Sequence, residues 1–187
     1  MKTWEDLINS CNSCTKCSIH SSRTNVVIGD GNINAKLMFI GEAPGEDEDK
    51  MGKPFVGKAG KLLELALDSL ELNRERDFYI CNIIKCRPPN NRVPTENEAQ
   101  NCLPFLRAQV SLIKPKIIVC LGATAMKYIL GKDLKITQDR GRWFKKGDFD
   151  IIATYHPAAL LRDPNKKEDF YKDLKSVVNL YKQIKED

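Results

Sequence analysis

The run Leu37-Met38-Phe39-Ile40 is apolar at every position and opens into residues 41–60, GEAPGEDEDKMGKPFVGKAG, after which Leu62-Leu63-Glu64-Leu65-Ala66-Leu67 begins. An unbroken apolar run of this length reads as a buried strand, and the leucine-rich segment as a helix. The twenty residues between them form a long strand-to-helix loop. Five are Gly and two are Pro, so the backbone can approach a ligand closely, while Phe55 stands among them with no obvious core to fill. In an open α/β sheet this end of a strand is where ligands sit. Further strand-like runs at 78–84, 116–121 and 151–155 alternate with helix-like segments at 95–113, after Gly122 and at 170–184. The expected fold is α/β: a single-domain three-layer α/β/α arrangement, residues 1–187, around a central, mostly parallel four-stranded sheet. Val26-Val27-Ile28 is expected as an added edge strand, and residues 143–149 as a hairpin turn.

A length of 187 residues suits one domain with a substantial core. The formal charge of +5 permits a nucleic-acid partner without requiring one. No apolar run approaches the roughly 18 residues of a membrane span, and the first residues lead into no signal-peptide core. A soluble, cytoplasmic protein without membrane association is therefore expected.

Seven cysteines in such a chain argue for metal ligation or buried thiols over a disulfide framework. Cys81 and Cys120 sit inside apolar strand-like runs and read as packing. Cys11, Cys14 and Cys17 recur at three-residue intervals among Ser, Asn and Lys, a poor setting for core thiols. Two thiolates so spaced can chelate a metal centre, and Cys86 and Cys102 are the candidates for completing it. Their separation is wider than the second pair of most zinc modules, which makes an iron–sulfur cluster a serious alternative to zinc. Spacing alone neither chooses between the two nor excludes Cys11.

Gly52-Lys-Pro-Phe-Val-Gly57-Lys58-Ala59 nearly spells a nucleotide-binding P-loop, but Ala59 stands where a magnesium-ligating hydroxyl is needed, and Pro-Phe-Val suits the phosphate cradle poorly. An ATPase is not expected. Asn82 lies within an apolar run, where a buried amide is either tied to backbone or kept for a ligand. Pro88-Pro89 ends that run, and Asn90-Asn91-Arg92 follows as a turn. His156 is delivered by the last strand into Pro157-Ala158-Ala159-Leu160-Leu161-Arg162. Two exposed leucines beside an arginine at a loop tip are what a wedge into base stacking needs.

GEAPG with PFVGKAG, then NIIKCRPPNNR, then HPAALLR, together with Cys14, Cys17, Cys86 and Cys102, closely resembles the family 4 uracil-DNA glycosylases. The likeness runs in order through nearly the whole chain, and four motifs at fitting spacings are far more specific than any one. It implies an enzyme that hydrolyses the N-glycosidic bond of deoxyuridine in DNA, releasing uracil and leaving an abasic site for base excision repair. It also implies that the four cysteines hold a 4Fe-4S cluster, with Cys11 outside the ligand set.

The same resemblance assigns roles. Phe55 would stack on the uracil ring, Asn82 would read its Watson–Crick edge, and Gly41, Glu42 and Ala43 would line the rest. His156 would hydrogen-bond uracil O2 as a neutral donor where negative charge develops. Family 1 enzymes position the attacking water with an aspartate, whose place here is taken by Ala43. Asn91 is the first choice for that task and Glu42 the second. Glu48 would screen the pocket against the methyl of thymine. Leu160 would be the wedge, with Leu161 and Arg162 beside it, in a basic strip from Lys58, Arg87, Arg92, Arg140, Arg142 and Arg162.

Single- or double-stranded DNA containing uracil is the expected partner of a monomeric protein, with a sliding clamp left open as a protein partner. Two rivals remain. A related group traps uracil-DNA covalently through a histidine in an inserted basic loop, but residues 87–92 here contain no histidine. An iron–sulfur DNA-binding module without catalysis would bind DNA and release no uracil.

Overall fold

The computed structural model describes residues 1–186. Its strands are β1 (Asp30–Gly31), β2 (Leu37–Gly41), β3 (Phe78–Asn82), β4 (Ile117–Leu121), β5 (Trp143–Lys146) and β6 (Phe149–Thr154). They form one six-stranded sheet in the order β1-β3-β2-β4-β6-β5. The four inner strands are parallel, as expected from their unbroken apolar runs. The count differs from the expected four because an antiparallel strand caps each edge. The edge strand expected at 26–28 is displaced to β1: Val27 makes a single bond to the Lys85 carbonyl instead of a ladder.

The helices are α1 (Trp4–Asn12), α2 (Glu46–Met51), α3 (Lys58–Asp68), α4 (Arg74–Asp77) and α5 (Glu96–Ile113). After β4 come α6 (Ala123–Ile129), α7 (Ile136–Asp139), α8 (Pro157–Arg162) and α9 (Lys167–Glu186). Alternation along the buried strands divides the core between two faces. Leu37, Phe39, Phe78, Ile80 and Val119 point to the layer holding Leu63 and Leu67 of α3 and Leu174 and Val177 of α9. Met38, Ile40, Cys81, Ile118 and Cys120 point to the layer holding Leu103 and Leu106 of α5 and Met126 of α6. Cys81 and Cys120 are thus core residues, as their apolar context predicts. A smaller cluster of Leu7, Cys11 and Phe105 fixes α1 on α5, whose first turn is locked by the Thr95–Glu98 capping box.

The chain leaves β2 toward β3 on one side and later returns to lay β4 on the other. Loops diverge at such a switch point and leave a crevice beyond the carboxyl ends of the strands. Glu42, Asn82, Gly122 and His156 each follow or end an inner strand at that edge.

Candidate active site and cysteine centre

One cleft is lined by Glu42, Ala43, Glu48, Phe55, Lys58, Asn82, Asn91, His156 and Arg162, bringing together residues spread from the second strand to the eighth helix. Gly41 lies between two of these residues. A Cβ there would lie 2.5 Å from both Asn82 Oδ1 and Phe55 Cζ, so only glycine lets the amide and the ring approach across the strand end.

Phe55 is held in the left-handed region, at φ 53°. A non-glycine residue keeps that conformation only where its surroundings impose it. Arg74 supplies the constraint, donating to the carbonyls of Pro54 at 3.0 Å and Phe55 at 3.2 Å, and is itself anchored on Glu64 at 2.7 Å. Gly60 completes it, since a Cβ there would fall 2.0 Å from the Phe55 carbonyl oxygen. The ring is thereby turned toward His156, with the two centroids 5.6 Å apart. Nothing local in the sequence marks Arg74 for this task.

Asn82 is only 1% exposed, and its Oδ1 is buried with no hydrogen-bond partner among the described residues. A buried, unpaired amide oxygen costs about 1–3 kcal/mol. Asn82 is therefore not tied to backbone, and the amide is left available for a ligand.

His156 caps α8, its Nδ1 accepting from the Ala158 N–H at 3.1 Å. An accepting Nδ1 carries no proton, so the neutral ring bears its hydrogen on Nε2. Burial, reinforced by Arg162, pushes its pKa down to about 4. These two facts leave the ring neutral with its hydrogen on Nε2, the tautomer that sequence could not fix.

Glu42 accepts a hydrogen bond from the Thr124 hydroxyl through one carboxylate oxygen. Asn91 is exposed at φ 54°, and its Oδ1 accepts from Arg87 Nε at 2.8 Å. Glu48 differs from expectation. One of its oxygens accepts from Gly45 N–H at 3.1 Å and the other from Val56 and Gly57 N–H at 2.9 and 2.8 Å. Both oxygens pin the loop to itself, so the carboxylate shapes the pocket wall through the backbone instead of facing a base.

The two leucines of α8 part company. Leu160 is 2% exposed and belongs to the core against α3, whereas Leu161 is 51% exposed. Neighbouring helical residues point about 100° apart, so only one can reach the surface, and the expectation of an exposed Leu160 is corrected. Lys58 and Arg162 are exposed at the cleft. Arg140 leaves the expected basic strip, because its guanidinium is committed to Asp173 at 2.6 Å and the Asp169 carbonyl at 2.9 Å. Arg92 pairs with both oxygens of Glu98.

Across the sheet from this cleft, Cys14, Cys17, Cys86 and Cys102 line a second cavity. Arg23 donates to Cys86 Sγ at 3.3 Å and to the Cys14 carbonyl at 3.0 Å, and the Lys85 N–H donates to Cys102 Sγ at 3.3 Å. Donors aimed at sulfur suit thiolates. Cys11 borders the same cavity but is buried between Leu7 and Phe105, and burial drives its thiol up to about 12. Among the described residues no three Cys, His, Asp or Glu side chains gather closely enough to hold a single metal ion.

A family model described as the uracil DNA glycosylase superfamily matches residues 28–176. A type-4 uracil-DNA glycosylase of Thermotoga maritima is 51% identical over 154 residues, covering 80% of this chain and 79% of the relative. Type-4 uracil-DNA glycosylases of Archaeoglobus fulgidus and Sulfurisphaera tokodaii are each 45% identical, covering 96% of this chain and 94% and 86% of the relatives.

Proposed function

The chain belongs to the uracil-DNA glycosylase superfamily, and from that membership we propose that its cleft hydrolyses the N-glycosidic bond of deoxyuridine in DNA. The carrying observation is the buried, unpartnered Oδ1 of Asn82 beside Phe55. Uracil offers N3–H and O4 side by side, so one amide can accept from the first and donate to the second. Cytosine presents an acceptor and a donor in those places and would leave both amide groups unmet. A base reaches this cleft only after leaving the stack, at a cost of a few kcal/mol, which is recovered through stacking on Phe55 and these hydrogen bonds.

As the C1′–N1 bond breaks, its electron pair moves onto the departing uracil and positive charge develops on the sugar. His156 donates Nε2–H to uracil O2, where part of that negative charge accumulates. Being neutral, it needs no proton from solvent. Asn91 retains its amide hydrogens for a water, and the Glu42 oxygen not engaged by Thr124 is free to take a proton from it. Water attack at C1′ then gives the abasic sugar. Leu161 enters the stack in place of the departed base, while Lys58 and Arg162 meet phosphates.

Cys14, Cys17, Cys86 and Cys102 are the residues we assign to a 4Fe-4S cluster. The four thiols border one cavity, and in such a cluster each iron takes its own thiolate. When bound, the cluster supplies a fixed anionic cross-link between the N-terminal segment, the chain beyond β3 and α5.

Uracil release from single- and double-stranded oligonucleotides, with thymine as control, tests the reading. Multiple turnovers with a free abasic product are expected, and Asn82→Ala should lower single-turnover cleavage by about a hundredfold or more. DNA binding without uracil release would instead support the non-catalytic module, and an adduct that survives denaturation the covalent trap.

A further inference from the structure

The least explained polar group outside the cleft is Lys85. Its side chain is 1% exposed, among the most deeply buried in the molecule, and no carboxylate pairs with it among the described residues. Its Nζ donates to the main-chain carbonyl of Asn82 at 2.7 Å, and its own N–H donates to Cys102 Sγ. The side chain also borders the cavity of the four cysteines. An unpaired ammonium taken out of water costs several kcal/mol. A lysine so placed is served by neighbouring negative charge, which the four cysteines bordering the same cavity supply as cluster thiolates.

We propose that Lys85 is a positioning residue that joins the two sites: held by the charge of the cysteine centre, its ammonium fixes the Asn82 carbonyl and thereby the amide that reads uracil. The proposal rests on the glycosylase reading above. A hydrogen bond to a carbonyl three residues back restrains the Asn82–Ile83 peptide from its oxygen side, while the Ile83 N–H of the same peptide donates to the Gly41 carbonyl at 2.9 Å, and the Asn82 side chain has no partner of its own. Loss of the thiolate centre leaves the ammonium without its counter-charge and the Asn82–Ile83 peptide held only through the Ile83 N–H to Gly41. The two sites are thus linked through a single side chain.

The test is a double-mutant cycle between Lys85→Met and Asn82→Ala in iron-loaded protein, read by single-turnover uracil release and by inhibition with free uracil. Iron content and visible absorption report separately on the cysteine centre. Lys85→Met is expected to weaken free-uracil inhibition and slow release by tenfold or more in the Asn82 background, and by less than twofold in the Asn82→Ala background. Full additivity, or a Lys85→Met protein with unchanged uracil inhibition, overturns the proposal. If Lys85→Met takes up no iron, the cycle is run with Lys85→Arg, which keeps the charge but displaces the single donor from the Asn82 carbonyl. The same two outcomes then decide it. Should Asn82→Ala alone leave release and inhibition unchanged, the failure belongs to the glycosylase site assignment and not to Lys85.

Discussion

His156 accepts a backbone hydrogen bond on Nδ1 and lies where charging it is unfavourable, so its ring stays neutral well below the range in which an exposed histidine titrates. Its proton affinity falls on folding, from about 6.5 for a free imidazole to about 4. The unfolded chain therefore binds the proton first. The stabilising contribution of the neutral ring is fully present above about pH 6.5 and is lost as pH falls toward 4, a change on the order of 3 kcal/mol. Denaturation midpoints should drop across that window, and His156→Gln should flatten the drop. Nuclear magnetic resonance titration of the ring should give a midpoint below 5; a value near 6.5 would remove the neutral-donor role.

At the scale of the element, α8 is a six-residue helix that performs two jobs with adjacent leucines. Leu160→Ala removes a core side chain and should cost about 2–5 kcal/mol of stability, with little change in the ratio of duplex to single-strand activity. Leu161→Ala should leave stability nearly unchanged and lower release from duplex DNA several-fold more than from single strands, because only the duplex has a stack to open. Denaturant unfolding and parallel release assays separate the two. The motif HPAALLR signalled a DNA-facing tip, yet helical phase, which sets which leucine faces out, depends on where α8 starts and on what α3 offers it. The inner strands were legible because their runs are apolar without interruption. The edge strand β1 was not, for two residues carry no periodicity. Asn82 was legible as a polar residue inside an apolar run and His156 as one delivered by a strand, whereas the Arg74 brace on Phe55 and the Glu48 clamp on the loop join segments whose proximity no local pattern reveals.

For the whole molecule, the cysteine centre gathers an N-terminal segment that otherwise rests on a small cluster around Leu7 and Phe105. Cys102→Ser or Cys86→Ser should abolish the visible absorption of the cluster and expose residues near 12–23 to proteolysis. Cys11→Ser should keep the absorption and cost some stability, since it places a hydroxyl in the apolar seam between α1 and α5. Retention of colour by Cys102→Ser together with its loss in Cys11→Ser would refute the ligand assignment. Absorbance, iron content and limited proteolysis check these outcomes. The sequence supplied the four cysteines only through resemblance, because spacing left Cys11 eligible; its burial beside Phe105 is a property of how α1 docks.

That gathering also has a bearing on how the protein is made. Cys14 and Cys17 emerge from the ribosome well before Cys86 and Cys102, so a nascent chain must carry two unsatisfied thiols until the fifth helix has been synthesised. On the proposed four-cysteine assignment, iron delivery is a late step of biogenesis, and nascent chains stalled ahead of Cys102 should contain none of it.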